Sequence, residues 1–66
     1  MKVRYDAKAD AVYLRLDESA IVDSEEVQPG VVLDFNADRQ VVGVEILDVR
    51  RRLPAADVDH IDFEMA

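Results

Sequence analysis

The sequence predicts a mainly β (α+β) fold, a four- or five-stranded antiparallel meander with one short C-terminal helix. Ala11–Leu16 and Val41–Leu47 alternate their side chains with a period of two, which is typical of strands that bury one face. Segments rich in Asp, Asn, Pro and Gly separate the apolar runs, as expected for turns. After Leu47 the apolar spacing lengthens to four residues, which indicates a helix.

The first predicted hairpin turns at Asp6–Asp10, between a short strand at Val3–Tyr5 and a second strand at Ala11–Leu16. Aspartate side chains bond to nearby backbone amides and therefore favour a turn. The aliphatic residues of the second strand share one face, and Tyr13 and Arg15 share the other. A helix would scatter these aliphatic residues around its surface, so a strand is favoured.

The clearest hairpin joins Val31–Phe35 to Val41–Leu47 through the loop Asn36–Gln40. It follows Pro29–Gly30, a strong turn signal. The segment before that turn, Ala20–Val27, is ambiguous, because it could add an edge strand but its acidic run has little to bury.

In the last predicted strand, Gly43 and Glu45 face away from the aliphatic residues. A glycine within a strand often admits a bulky neighbouring side chain. The ring of Tyr5 or of Tyr13 is therefore predicted to pack on Gly43.

The C-terminal part begins with a predicted helix at Asp48–Leu53, in which Asp48 is a plausible N-cap. Pro54 ends this helix. The tail has apolar residues at both helical and strand spacing, and a short turn followed by a terminal strand is favoured.

A single domain is predicted over residues 1–66, with the sheet in 2–48, the helix in 48–53 and the tail in 55–66. The predicted core consists of the apolar residues on one sheet face and on the helix: Val3, Val12, Leu14, Leu16, Val31, Leu33, Phe35, Val42, Val44, Ile46, Val49 and Leu53.

The small size of the chain predicts a homodimer. A domain of 66 residues buries only about 60% of the surface of its unfolded chain. The sequence has no cysteine, so disulfides and thiolate metal sites are excluded, and a partner subunit is the expected source of further buried area.

The charge and hydropathy of the chain limit the kinds of partner that it is expected to bind. The formal charge of −7 at pH 7 opposes binding to a nucleic-acid backbone and favours encounter with a basic protein, although acidic residues also simply keep small proteins soluble. No window has the roughly 20 apolar residues of a membrane span, and the N-terminus lacks a secretion signal. A cytoplasmic protein is expected.

One oxygen-rich segment has the ligand spacing of a calcium-binding EF-hand loop: Asp34, Asn36, Asp38 and Glu45 stand at its positions 1, 3, 5 and 12. However, Arg39 occupies the position at which that loop needs glycine, and the flanks are predicted strands instead of helices. The favoured interpretation is a hairpin turn whose Asp and Asn side chains cap backbone amides.

No catalytic residue, cofactor or metal ligand is predicted. His60 is the single histidine, and Ser19 and Ser24 lie in acidic loops with no nucleophile-elbow motif. Paired acidic residues occur at Asp17–Glu18, Glu25–Glu26 and Asp57–Asp59. The chain has too little protein around them to form a cleft unless a dimer interface supplies one. An enzyme is therefore not expected.

The Arg50–Arg52 run is the one basic cluster. Its favoured role is to interact with the helix macrodipole, and the alternatives are contact with the acidic tail of the same or a neighbouring subunit, or with nucleic acid. Together with residues predicted on the sheet face opposite the aliphatic one, it forms a candidate interaction surface: Tyr5, Tyr13, Arg15, Glu45, Arg50 and Arg51.

Three ordered segments resemble the domain of unknown function 2283 family: Tyr5-Asp6-x-x-x-Asp10-Ala11-x-Tyr13-Leu14-x-Leu16, Glu25-Glu26-Val27-x-Pro29-Gly30-Val31-Val32-Leu33-Asp34 and Val41-Val42-Gly43-Val44-Glu45-Ile46-Leu47-Asp48. The resemblance covers roughly Lys2 to Arg52 and implies a small prokaryotic protein, with no activity, cofactor or catalytic residue to carry over. The chain departs from the family at Arg39, where a turn glycine is usual, and at Val49–Arg50, where Ala-Ser is usual.

The expected function is that of a non-enzymatic protein-interaction module, with an antitoxin-like neutraliser of a basic partner as its specific form. A self-assembling structural homo-oligomer is one alternative. An enzyme or metal binder with a site at a subunit interface is the other, and it would require His60, Glu45 or the acidic pairs to converge.

Overall fold

The computed structural model describes all residues, 1–66, and contains one antiparallel sheet and one helix. The fold class predicted from the sequence is confirmed, with five strands. The elements are β1 (Lys2–Asp6), β2 (Ala11–Arg15), β3 (Asp23–Gln28), β4 (Val31–Phe35), β5 (Val41–Ile46) and α1 (Val49–Arg52).

The strand order is β1-β2-β5-β4-β3, which differs from a simple meander. The hairpin β1-β2 and the three-stranded meander β3-β4-β5 are joined where β2 pairs with β5, with Leu14 opposite Val44. All six residues of β3 are exposed, and three of them are acidic. A simple meander would place this acidic strand in the centre of the sheet. The observed order instead places it at an edge, where charged residues are tolerated and discourage aggregation.

The connection from β2 to β3, residues 16–22, passes the end of the sheet near the β4–β5 turn. Arg15 fixes its path, because its guanidinium donates to the carbonyl oxygen of Asp17 (2.6 Å) and to that of Ser19. The Val22 N–H donates to the carbonyl oxygen of Phe35 at 2.9 Å. Arg15, predicted as an interaction residue, therefore stabilises its own chain.

One side of the sheet, here called the apolar face, has no second layer over most of its area. None of its eight residues is fully buried, and Val3 is 43% exposed. Strand register defines the apolar face as Val3, Tyr5, Val12, Leu14, Val31, Leu33, Val44 and Ile46.

The predicted core is therefore buried only in part. Val42 and Val49 are 2% and 6% exposed, whereas Leu53 is 61% exposed. The reason is geometric, because α1 lies at one end of the sheet and a helix of four residues is only about 6 Å long. Of the other residues of the predicted core, Val3 and Leu16 are exposed, and the rest, Phe35 among them, are half-buried.

The carboxylate that caps α1 is Asp10, so the prediction that Asp48 caps the helix is wrong. Asp48 has a left-handed backbone conformation, with φ 55°, and its side chain makes no capping bond. The Asp10 carboxylate accepts the N–H groups of Arg50 (3.0 Å) and Arg51 (3.3 Å), and its carbonyl oxygen accepts the Val49 N–H. The first orphan amides of the helix are thus satisfied from the β1–β2 turn.

The tail forms no strand, which contradicts the favoured prediction. Residues 53–66 contain turns and irregular backbone, and their only backbone hydrogen bonds are local or to α1. An isolated extended segment gains nothing from its backbone groups without a neighbouring strand. Ile61, Phe63 and Met65 consequently stay 61%, 78% and 85% exposed.

We predict that Asp10→Asn lowers the urea midpoint of unfolding at neutral pH. The pKa of Asp10 is lowered chiefly by the Arg50 N–H and then by the Tyr5 hydroxyl, which donates to it at 2.8 Å. A lowered folded-state pKa gives stability that is present above the unfolded pKa and is lost as the pH falls through the folded one. The midpoint difference between the two chains should therefore shrink below about pH 4.

Asp59→Asn in the tail is the control, because the Asp59 carboxylate accepts no hydrogen bond from the chain. It should leave the midpoint unchanged from neutral to acid pH. A loss from Asp10→Asn that is equally large at about pH 2, below the ordinary aspartate range, would contradict this role of the ionised carboxylate.

Candidate functional site: the polar face of the sheet

The side of the sheet opposite the apolar face, here called the polar face, carries most of its hydrogen-bonding side chains. Antiparallel register places residues that pair directly on the same side, and the pairs Arg4–Tyr13, Tyr13–Glu45 and Asp34–Gly43 define this side. The polar face consists of Lys2, Arg4, Asp6, Ala11, Tyr13, Arg15, Ser24, Glu26, Val32, Asp34, Gly43 and Glu45.

Asp34 is the centre of the polar face. It is only 7% exposed, and its carboxylate accepts hydrogen bonds from the Ser24 hydroxyl (2.6 Å) and the Tyr13 hydroxyl (3.2 Å). Arg15 in turn donates to the Tyr13 oxygen at 3.3 Å. A buried carboxylate is costly unless it is hydrogen-bonded, and here no buried side-chain polar atom lacks a partner.

The bond from Tyr13 to Asp34 crosses a whole strand. Tyr13 lies on β2 and Asp34 on β4, and β5 runs between them. The crossing passes over Gly43, where an added Cβ would lie 2.8 Å from both the Tyr13 hydroxyl oxygen and an Asp34 carboxylate oxygen. Only a residue without a side chain leaves room for this contact.

The predicted tyrosine over Gly43 is thus Tyr13. Tyr5 lies on the apolar face, because it pairs with Val12. The prediction that Tyr5 and Tyr13 share one face is therefore wrong. The pKa of Tyr5 is raised, chiefly by its hydrogen bond to Asp10. Tyr5 therefore belongs to the contacts that support α1.

A hollow of about 230 Å³ lies on the polar face beside Asp34. Its charged and aromatic lining is Arg4, Asp6, Tyr13, Asp34 and Glu45. The Asp34 oxygens are already occupied by two hydroxyl donors. The Asp6 carboxylate likewise accepts the N–H groups of Lys8 and Ala9. The Glu45 carboxylate and the Arg4 guanidinium are therefore the available charged groups of the hollow.

The other predicted surface residues lie elsewhere. Arg50 and Arg51 are on α1 at the end of the sheet, where Arg51 pairs with Asp48 at 3.0 Å. Arg52 donates to the carbonyl oxygens of Leu47 (2.8 Å) and Pro29 (3.2 Å). No arginine of this run forms an ion pair with an acidic residue of its own tail, so that proposed contact within one subunit is not formed.

The β4–β5 loop is a hairpin turn capped by Asn36. The Asn36 side-chain oxygen accepts the N–H groups of Asp38 and Gln40, both at 3.0 Å. Asp34 points to the hydroxyls described above and is not a capping residue. Arg39 has φ 62°, the left-handed conformation that usually favours glycine. No group of three or more His, Asp or Glu side chains in the chain is arranged to hold a metal ion.

His60 does not join Glu45 or the acidic pairs. It lies in the tail, exposed, with its Nε2 atom 3.0 Å from a carboxylate oxygen of Asp62. Glu45 lies in the hollow on the polar face. The convergence that an interface enzyme would need is thus not present within one chain.

Sequence reasoning missed Asp34 and Asp10. An acidic residue within the apolar run of β4, opposite a glycine on the neighbouring strand, is the signal that could have identified Asp34. For Asp10, no local signal exists, because its partners are 40 residues away.

Comparison with known proteins gives one match. A family model described as a protein of unknown function (DUF2283) matches residues 2–50. No curated protein and no solved structure matches the chain. The matched region contains all five strands and the start of α1. No helix of the chain has the length and apolar character needed to cross a membrane.

We predict that Gly43→Ala destabilises the fold by about 1–3 kcal/mol, the usual cost of overpacking a close-packed site. The added methyl group would displace the Tyr13–Asp34 hydrogen bond. Urea unfolding followed by circular dichroism measures the change. In a Tyr13→Phe chain the same substitution should cost less, because only the contact with Asp34 is left. An equal cost in both chains would contradict the crossing of β5 by Tyr13.

Proposed function

The chain belongs to the DUF2283 family, and from this premise we propose that it is a non-enzymatic protein-interaction module whose first partner is a second copy of itself. The observation that carries the proposal is the apolar face, none of whose eight residues is fully buried in the single chain. A sheet with one apolar face needs a second layer. The chain supplies a four-residue helix at one end of the sheet and the tail residues Val58 and Ile61 near Val3 and Tyr5.

Two copies packed through their apolar faces would form a two-layer sandwich. Sheets pack about 10 Å apart with interdigitating side chains. A stable dimer buries about 800 Å² per partner, a patch roughly 28 Å on a side, and the molecule measures 36 × 30 × 21 Å. An interface of that size would therefore occupy most of one side of the molecule.

The charge distribution favours this orientation. Within the sheet, two acidic residues pair on the apolar side, Asp23 opposite Phe35 and Glu25 opposite Leu33, both at the β3–β4 edge. Asp34, Glu45 and Glu26 lie on the other side. Packing through the apolar faces therefore keeps most of the like charges of two acidic copies apart, while the polar face and its hollow stay outside the interface.

We predict that Val44→Lys on the central strand raises the dimer dissociation constant by about 100-fold or more, because it buries an unpaired charge in the interface. Sedimentation equilibrium measures the constant. The natural chain should also show a melting temperature that rises with its concentration.

Val32→Lys is the matched control, because Val32 is a half-buried valine on the polar face, opposite Glu45. It should leave the dissociation constant nearly unchanged, and circular dichroism checks that both variants are folded. A natural chain that is monomeric at all concentrations would refute the proposal, as would equal effects of the two substitutions.

A second candidate function is binding of a basic protein, in the antitoxin-like manner expected from the sequence. The observation that favours it is β3, an edge strand on which Asp23, Glu25 and Glu26 are all exposed. An edge strand offers unpaired backbone groups to an added strand, and its acidic residues would select a basic one. A cytoplasmic location for this encounter is part of the same proposal.

We predict that a peptide of alternating lysine and valine binds to the β3 edge, and that Glu25→Gln with Glu26→Gln weakens it about tenfold. Fluorescence anisotropy of the labelled peptide gives the affinity, which should fall as salt rises. Asp57→Asn with Asp59→Asn removes the same charge from the tail and is the control. Equal losses from both pairs would indicate attraction to net charge alone and would contradict a role for β3.

A further inference from the structure

The two edges of the sheet differ, and we infer that the C-terminal segment 61–65 of one copy adds as a sixth strand to the β1 edge of a second copy. This inference rests on the self-association proposed above and names a contact within it. It assigns a partner strand to a segment that pairs with no strand of its own chain.

The β1 edge is open. β1 pairs only with β2, and no backbone hydrogen bond joins any tail residue to β1. The outward N–H and C=O groups of Lys2–Asp6 therefore lack a partner strand. Such an edge is a template for another extended segment.

The tail matches this edge on both sides of the sheet. In β1, Val3 and Tyr5 lie on the apolar face, and Lys2 and Arg4 lie on the polar face. The segment 61–65 alternates Ile, Phe and Met with Asp62 and Glu64. As a strand beside β1, it would place its apolar residues next to Val3 and Tyr5, and its two acids next to the two basic residues.

The opposite edge does not match the tail. β3 carries Asp23, Glu25 and Glu26, all exposed, and the tail segment carries two further acids. Like charges directly opposite each other destabilise a strand pair. Charge therefore selects β1 over β3 as the edge that accepts the tail.

The proposed dimer explains why the tail pairs with a second copy. In the single chain, Val58 and Ile61 border a hollow of about 300 Å³ together with Val3, Tyr5 and Val12. The tail therefore lies over part of the apolar face, and a second copy that covers this face displaces it. Residues 54–60 can span at most roughly 25 Å, more than the about 10 Å between packed sheets, so the displaced segment reaches the partner.

The exchange is reciprocal in a two-fold symmetric dimer, because each copy has one tail and one β1 edge. Phe63 and Met65, 78% and 85% exposed in the single chain, would then extend the apolar layer beyond Val3 and Tyr5.

Site-directed cross-linking tests the inference, and the absence of natural cysteine makes it clean. Chains carrying only Arg4→Cys are mixed with chains carrying only Glu64→Cys, and in a second mixture with chains carrying only Asp62→Cys. After mild oxidation, the disulfide-linked heterodimer is measured on a non-reducing gel. Glu26→Cys, on the polar face of β3, replaces Arg4→Cys in the control mixtures.

We expect at least one Arg4→Cys mixture to give about tenfold more heterodimer than its Glu26→Cys control, because a disulfide needs Cα atoms within about 7 Å. Equal yields from the two edges would overturn the inference. A chain carrying both Arg4→Cys and Glu64→Cys shows whether the tail pairs with the β1 edge of its own chain or with that of a second copy. A disulfide-linked monomer at high dilution, with no linked heterodimer in the mixtures, would show that the tail pairs with its own β1. That result would also overturn the inference.

Phe63→Asp with Met65→Asp in the full chain separates this inference from the proposed function, because both side chains are exposed in the single chain. The variant should still dimerise through the apolar face, with a dissociation constant about tenfold higher, which corresponds to about 1.4 kcal/mol. An unchanged constant would overturn the tail contact and leave the dimer intact. A natural chain that is monomeric at all concentrations would overturn both.

Discussion

The hydrogen bond from Tyr13 across Gly43 to Asp34 is the contact on which the arrangement of this sheet depends. It joins β2 to β4 over the intervening β5, and it satisfies a carboxylate that is almost fully buried. A shift of one residue in either strand pair would move Asp34 or Tyr13 to the other side of the sheet and leave the carboxylate without its donor. The hydrogen bonds of the polar face thus specify the strand register, and this register determines which side chains form the apolar face.

A division of roles between the two faces results. The buried polar groups of the polar face find their hydrogen-bond partners within one chain. Arg15 donates to the β2–β3 connection and to Tyr13, and Ser24 on β3 donates to Asp34. The apolar face has no comparable partner inside the molecule. In a small domain the hydrophobic area that packs within one chain is marginal for stability, so the proposed self-association would add to the free energy of folding.

The positions of the strands could be predicted from the sequence, but the contacts that hold the strands together could not. β4 was predicted to the residue, and the Pro29–Gly30 turn was confirmed, with Gly30 at φ 81°, because alternation and turn chemistry are local properties. The order of the strands, the capping of α1 by Asp10 and the burial of Asp34 depend on residues distant in sequence, and no local pattern encodes them. The tail was misassigned for a related reason, because alternation is local, whereas a strand forms only beside a neighbouring strand, which alternation does not encode.

The order of the strands also has a kinetic consequence. Three of the four strand pairs are hairpins between consecutive strands, and only the pairing of β2 with β5 joins elements distant along the chain. The intervening residues already form the β3-β4-β5 meander, so docking of two preformed units replaces closure of a long flexible loop, whose entropy grows with its length. Local pairing of this kind favours faster folding than long-range pairing alone, and we expect the β2–β5 seam to form last.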